Sequence, residues 1–192
     1  MKVIALTGPK GSGKDTVADL ICKNYDRVTR VAFADPIKTV IQHIFCLDTK
    51  SNDEYDRFKR SAVELSGESM RHNEAVCTWK NVQGRHIVRE IGMLMRSYDS
   101  SQFTKYVKDA IIKAQETSDI FVVTDLRFDN EFIMLKEQGA KIVKITRPTY
   151  HYDGHITERG FNDYLVDYII ANDHSMDVLE KHVLDMVNKI EE

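Results

Sequence analysis

Residues Gly8 to Thr16 read Gly-Pro-Lys-Gly-Ser-Gly-Lys-Asp-Thr, and a run of this composition can wrap the phosphates of a nucleotide. Gly8, Gly11 and Gly13 let successive backbone N–H groups curl around phosphate oxygens. The helix start beyond them adds partial positive charge, and Lys14 reaches the terminal phosphates. Gly8 to Lys14 keeps the spacing Gly-x4-Gly-Lys. One position departs from the general pattern: Asp15 stands where a serine or threonine normally holds magnesium, and Thr16 follows it.

Other candidate groups lie far along the chain. Asp125 closes the apolar run Ile120 to Val123, after Thr124. From there an acidic side chain can hold a metal's water shell; a helix-capping or turn aspartate is the alternative. Arg127 could neutralise charge on a transferring phosphoryl group or clamp an incoming phosphate. Glu131 could orient that arginine or accept a hydrogen bond from substrate, against the alternative of a surface ion pair. Arg89 and Arg96 are seven residues apart and share a helix face, with Arg85 nearby; a solvated basic face is the competing reading. Asp35 and Lys38 flank a helix start, where they contact substrate or serve as caps. His151 and His155 have i,i+4 spacing, but Gly154 interrupts it and no third ligand is evident, which argues against zinc. Trp79 is a base-stacking candidate, with core or surface packing as the plainer role.

The elements that must carry these residues follow from periodicity. Val3 to Leu6 reads as a buried strand feeding the loop, and Val17, Ala18 and Ile21 lie on one face of a following helix. Arg30–Phe33, Ile120–Val123, Lys141–Thr146 and Tyr168–Ala171 read as further strands. Helices are expected after Pro36, over 88–95, over 103–114, over about 130–138 with Gly139 as the stop, and at the C-terminus. The polar stretch from about 48 to 84 shows no sheet period and reads as a mobile, largely helical insertion. Strands alternating with helices imply a parallel sheet wrapped by helices, with ligands at the carboxyl ends of the strands. Thr7-Gly8, Ala34-Asp35, Thr124-Asp125, Arg147 and Asn172-Asp173 all fall at such ends.

The chain has 192 residues, 42% of them apolar and 30% charged, with 27 basic against 30 acidic residues and a net charge of −3. That suits one soluble globular domain and implies no general attraction to nucleic acid or membrane. No apolar run approaches a membrane span or a signal peptide. Cys22, Cys46 and Cys77 are odd in number and far apart, which suits free thiols in a reducing, cytoplasmic compartment.

With these residues assembled, the chain resembles the phage-type deoxynucleoside monophosphate kinases, a branch of the P-loop kinases. The resemblance rests on SGKDT (Ser12–Thr16), FADPIK (Phe33–Lys38), DLRFDNE (Asp125–Glu131), the Arg147–Glu158 segment and AND (Ala171–Asp173), in order over nearly the full length. It implies an α/β, three-layer P-loop kinase fold in one domain over 1–192. That fold has a parallel sheet, a helical NMP-binding insertion over 48–86 and a lid over 147–164. It implies transfer of the ATP γ-phosphoryl group, with Mg2+, to a deoxynucleoside monophosphate, in the host cytoplasm if the gene is a phage's. Gly8, Lys10, Gly11, Ser12, Gly13, Lys14, Asp15, Thr16, Arg147 and Asn172 would bind ATP, with Asp173 near the adenine. Asp15, Thr16 and Asp125 would hold the metal, through water. Asp35, Lys38, Arg89, Arg96, Tyr106, Asp125, Arg127 and Glu131 would take the acceptor, and Arg147, His155 and Glu158 would act in the lid. Lys14, Asp15 and Arg127 would be the catalytic groups. Relatives tend to read R-x-x-x-Q-x-x-G-T in the middle helix, whereas Met93 and Arg96 replace the amide and the glycine here, and Tyr106 stands near a usual tryptophan. A kinase for another small phosphorylated acceptor, such as an isoprenoid precursor or a coenzyme fragment, is the alternative. Guanine-nucleotide switches need D-x-x-G and N-K-x-D, and neither is present. Small P-loop kinases occur as monomers and as homodimers, and the sequence leaves both open.

Overall fold

A computed structural model describes residues 1–49, 52–65, 68–71, 74–77, 80–148, 161 and 163–190. The chain forms two compact units, one from Met1–Phe33 with Ser101–Glu192 and one from Ala34–Ser100.

The first unit is built on five short strands: β1 (Lys2–Thr7), β2 (Val28–Val31), and, after the second unit, three more over Ile120–Val123, Lys141–Thr146 and Tyr168–Ala171. All their pairings are parallel. The sheet order places β1 at the centre. The 120–123 and 141–146 strands flank it, with β2 and the 168–171 strand at the edges. The central strands are apolar on both faces because helices cover both. Ile4 and Leu6 of β1 point toward α1 (Lys14–Asn24) and the C-terminal helix Met176–Lys189, where Val17, Ile21, Val183 and Val187 are fully buried. Alternation sends Val3 and Ala5 to the opposite face, the side of the helices Gln102–Ala114 and Asp129–Glu137. Gly139 ends the 129–137 helix with φ +73°, a left-handed stop that suits glycine.

The second unit holds α2 (Asp35–Ile44), α3 (Asn52–Arg60), four strands β3 (Ala62–Leu65), β4 (Glu68–Arg71), β5 (Glu74–Cys77) and β6 (Lys80–Gln83), and α4 (Gly84–Tyr98). The three first-unit strands above are accordingly β7, β8 and β9, and its helices after α1 are α5 (Gln102–Ala114), α6 (Asp129–Glu137) and α7 (Met176–Lys189). Here the expectation of a largely helical insertion needs correcting. Among the described residues of 48–83, only 52–60 are helical, and β3–β6 and β4–β5 form two antiparallel pairs. Backbone pairing decides those strands, which is why no hydrophobic period announced them. α4 also starts four residues earlier than periodicity suggests. Gly84 sits there against the Phe58 carbonyl, where a Cβ would collide. On the same helix a Cβ at Gly92 would press on Ile37 Cδ1 at 2.9 Å, so α2 and α4 pack closely.

β2 lies two residues before its expected 30–33 position, leaving Ala32 to Ala34 as a link into α2. Among the described residues, no helix is long and apolar enough to cross a membrane.

Candidate active site

Three glycines shape the loop between β1 and α1. Gly8, Gly11 and Gly13 have φ of +138°, +76° and +104°, a region open to glycine and costly to residues with a Cβ. Gly8 is additionally wedged against the Ile145 carbonyl of β8, and Gly13 against the Asn172 side chain just after β9. The loop therefore rests on the ends of two neighbouring strands. Asn172 ties the assembly: its backbone N–H donates to the Thr146 carbonyl at 2.8 Å and its Nδ2 to the Ser12 carbonyl at 2.8 Å.

Lys14 is buried, and its Nζ donates to the Gly8 carbonyl at 2.8 Å and the Pro9 carbonyl at 2.7 Å. Its ammonium is thus curled back over the loop it follows. Ser12 is fully buried, and its Oγ has no hydrogen-bond partner among the described residues. A buried, unsatisfied hydroxyl is costly, which marks Ser12 Oγ as a group that a ligand oxygen could satisfy. A cleft of about 370 Å³ opens beside the loop. Lys14, Asp15, Thr16, Arg147, Asn172 and His174 contribute to its lining, with Met176 and Leu179 of α7. Arg147 brings Nη1 to 3.5 Å from the Gly11 carbonyl at its rim. Lys10 is exposed on the loop. The oxygen donors here, the Thr16 hydroxyl and the Asp15 carboxylate, together with Asp125 after β7, are the hard ligands that suit Mg2+.

At the end of β7, Asp125 Oδ1 accepts the Phe33 N–H at 2.7 Å, while Thr7 Oγ1 donates to the Leu126 carbonyl at 3.0 Å. These bonds lock the carboxyl ends of β1, β2 and β7 together. Glu131 is fully buried, and its Oε2 accepts the backbone N–H of Arg127 at 3.0 Å and of Phe128 at 3.1 Å. Its carboxylate shapes the turn that presents Arg127 and satisfies N–H groups at the start of α6. Tyr106 is exposed on α5.

The second unit carries the other sequence-derived candidates. Asp35 opens α2, where its carbonyl accepts from Thr39 Oγ1, and Lys38 Nζ lies 5.7 Å from the centre of the Tyr55 ring. Arg89 and Arg96 are both half-buried on α4, two turns apart. His155 and Glu158, like Trp79 and His151 and most of the 147–164 lid segment, lie outside the described residues.

Sequence reasoning missed Arg30, which ion-pairs with Asp15 and Asp19, and the cleft residues His174, Met176 and Leu179. His174 follows the AND motif directly, and Met176 and Leu179 lie in the helix just beyond it, so that motif was the available signal.

A five-stranded parallel sheet with the glycine loop between β1 and α1, and a buried lysine at its close, defines a P-loop kinase. The structure of dephospho-CoA kinase from Campylobacter jejuni shares this fold, with a TM-score of 0.51 over 99% of this chain and 98% of that one, at 15% identity. The family model for deoxynucleotide monophosphate kinase matches residues 2–112 and 98–183, and the chain belongs to that family. It is 26% identical to the deoxynucleotide monophosphate kinase of Enterobacteria phage T4, over 93% of this chain and 95% of the relative. It is 24% identical to a putative deoxynucleotide monophosphate kinase of Acanthamoeba polyphaga mimivirus, over 98% and 97% respectively.

Proposed function

We propose that the protein moves the γ-phosphoryl group of ATP to a deoxynucleoside monophosphate, giving the deoxynucleoside diphosphate and ADP. The observation that carries this reading is the glycine loop with Lys14, in a chain whose near-full-length relatives are deoxynucleotide monophosphate kinases. A phosphate oxygen of the acceptor forms the new bond to γ-phosphorus as the bond to the β–γ bridging oxygen breaks, and ADP leaves with that electron pair. Little covalent chemistry falls to the protein, so positioning and charge neutralisation dominate.

The backbone N–H groups of Gly11 to Lys14 cradle the donor's phosphates, and Lys14 redirects its Nζ donors from loop carbonyls to phosphate oxygens. Arg127, presented by the Glu131-braced turn, offsets charge on the group in flight. Arg147 and Asn172, which line the cleft, serve the nucleotide side, with Asp173 next in sequence. Thr16 would hold Mg2+, with Asp15 and Asp125 acting through water, and the ion would supply positive charge against the phosphates. Asp35, Lys38, Arg89 and Arg96 of the second unit and Tyr106 of the first are assigned to the acceptor, and the residues near His155 and Glu158 to closure. The cytoplasm, where ATP and deoxynucleotides are made, is the setting.

The fold shared with a coenzyme kinase does not favour a coenzyme acceptor, because it reflects architecture alone. A coupled assay of ATP against deoxy- and ribonucleoside monophosphates tests the proposal. Deoxynucleotides should be converted, and Lys14→Ala should lower kcat about 10²- to 10³-fold, the range for losing one preorganised charge at a transition state. Diphosphate formed from no deoxynucleoside monophosphate would refute the reading.

A further inference from the structure

The aspartate that departs from the general phosphate-loop pattern has a partner outside that pattern. Arg30 of β2 sends Nη2 to Asp15 Oδ1 and Nη1 to Asp19 Oδ1, each at 2.5 Å. Asp15 and Asp19 are four residues apart, so their carboxylates share one face of α1, and a single guanidinium spans both. Asp15 borders the cleft beside Lys14, whereas Arg30 is not among the residues lining it. The contact of Arg30 with that cleft is thus made through Asp15.

A carboxylate at this point poses two physical problems. Its negative charge stands beside the N–H groups and the lysine that must gather a polyanion, where a hydroxyl would be neutral. Its side chain is also 82% exposed and would otherwise sample several rotamers. Arg30 answers both, because it cancels the charge and fixes the carboxylate in one orientation. The fork matters for the second effect: a guanidinium bridging two carboxylates is held in place, which a lysine ammonium would not be.

We infer that Arg30 is a positioning residue of the nucleotide site, holding and neutralising Asp15 so that this aspartate-bearing loop accepts a triphosphate. The inference rests on the proposed function only in taking ATP as the ligand. A purely structural ion pair facing solvent contributes little to stability. It would leave nucleotide affinity unchanged, and so the two roles separate by measurement.

The test is a binding cycle, read by displacement of a fluorescent ATP analogue by MgATP without any acceptor. The wild type is compared with Arg30→Met, Arg30→Lys, Asp15→Asn and the double variants. Arg30→Met should weaken MgATP about tenfold or more, and Arg30→Lys by less, since it restores charge without the fork. In the Asp15→Asn background, Arg30→Met should change affinity by less than about threefold, because the charge to be cancelled is gone. Equal losses in both backgrounds, or none in either, would overturn the inference. Thermal midpoints report folding; were Arg30→Met unable to fold, Arg30→Lys carries the same comparison. Failure of every deoxynucleotide as acceptor would defeat the proposed function and leave this cycle standing. A wild-type chain that binds no MgATP would defeat both.

Discussion

Alanine at each loop glycine should separate three different physical costs, and the structure ranks them. Gly11 has φ +76° and nothing within 4 Å of a Cβ. Only the left-handed conformation opposes alanine there, about 1–2 kcal/mol, and the lower entropy of the unfolded chain returns about 0.4–1 of it. Gly11→Ala should therefore cost between about 0 and about 1.6 kcal/mol. At Gly13, φ is +104° and the new Cβ meets the Asn172 amide. That amide can swing aside only by giving up its bond to the Ser12 carbonyl. Backbone strain of about 1–3 kcal/mol and one lost hydrogen bond of about 1 kcal/mol sum to about 2–4, and the same unfolded-chain return leaves about 1–3.6 kcal/mol. At Gly8, φ is +138° and the Cβ meets the backbone carbonyl of Ile145, within a strand paired on both sides. No side-chain motion relieves that clash, so the cost should exceed about 4 kcal/mol. For a chain of this size each kcal/mol moves the melting temperature by about 2–4 °C. Thermal and urea unfolding of the three variants thus reads the order directly. Removing the obstructing amide supplies a control: Asn172→Ala combined with Gly13→Ala should cost less than the two changes summed. Equal losses at Gly11 and Gly8, or strict additivity of the Asn172 pair, would refute the account of the loop as clamped by β8 and β9.

Three further outcomes are expected. Glu131→Ala removes the acceptor of the half-buried N–H groups of Arg127 and Phe128 and should cost about 1–3 kcal/mol, with a fall in kcat. Glu131→Gln keeps an acceptor and should cost clearly less, so equal losses by urea unfolding would contradict the bracing role. At Asp167, burial works to raise the carboxyl, but the Ile142 N–H and the Lys136 ammonium outweigh it and hold it below the usual carboxylate range. A lowered folded value means the contribution is present above about pH 4, the unfolded range, and disappears as pH falls through the folded value. Asp167→Asn should accordingly lose about 1 kcal/mol at pH 7, discounted for solvent exposure, and the gap to wild type should close in acid; a gap independent of pH would sink this reading. Arg96→Gly, which installs the glycine that the family resemblance leads one to expect in the middle helix, should reorder the deoxynucleotides by kcat/KM more than it changes the KM for ATP. An unchanged order in the coupled assay would place Arg96 outside acceptor recognition.

How much of this was legible beforehand depended on whether the signal was local. The strands and helices of the first unit were written in apolar periodicity, because the central strands β1, β7 and β8 are largely buried on both faces and each helix on one. The glycine loop was equally plain, since positive φ values demand a residue type that stands out in sequence. The four strands of the second unit were invisible, being short and defined by pairing with one another. The placement of Glu131 was half visible. Its position four residues after Arg127 suggested an orienting carboxylate, and the hydrogen bonds are to the backbone N–H groups of Arg127 and Phe128. Arg30 gave no sign at all. It sits 15 residues beyond Asp15 on an exposed edge strand, in a segment with no motif, and only the packing of β2 beside α1 brings the two together. Sequence motifs record groups that touch the ligand through a fixed local backbone. A charge that acts through another side chain depends on where two elements meet, so any arginine reaching that face from β2 could have served, and no spacing rule would have singled it out.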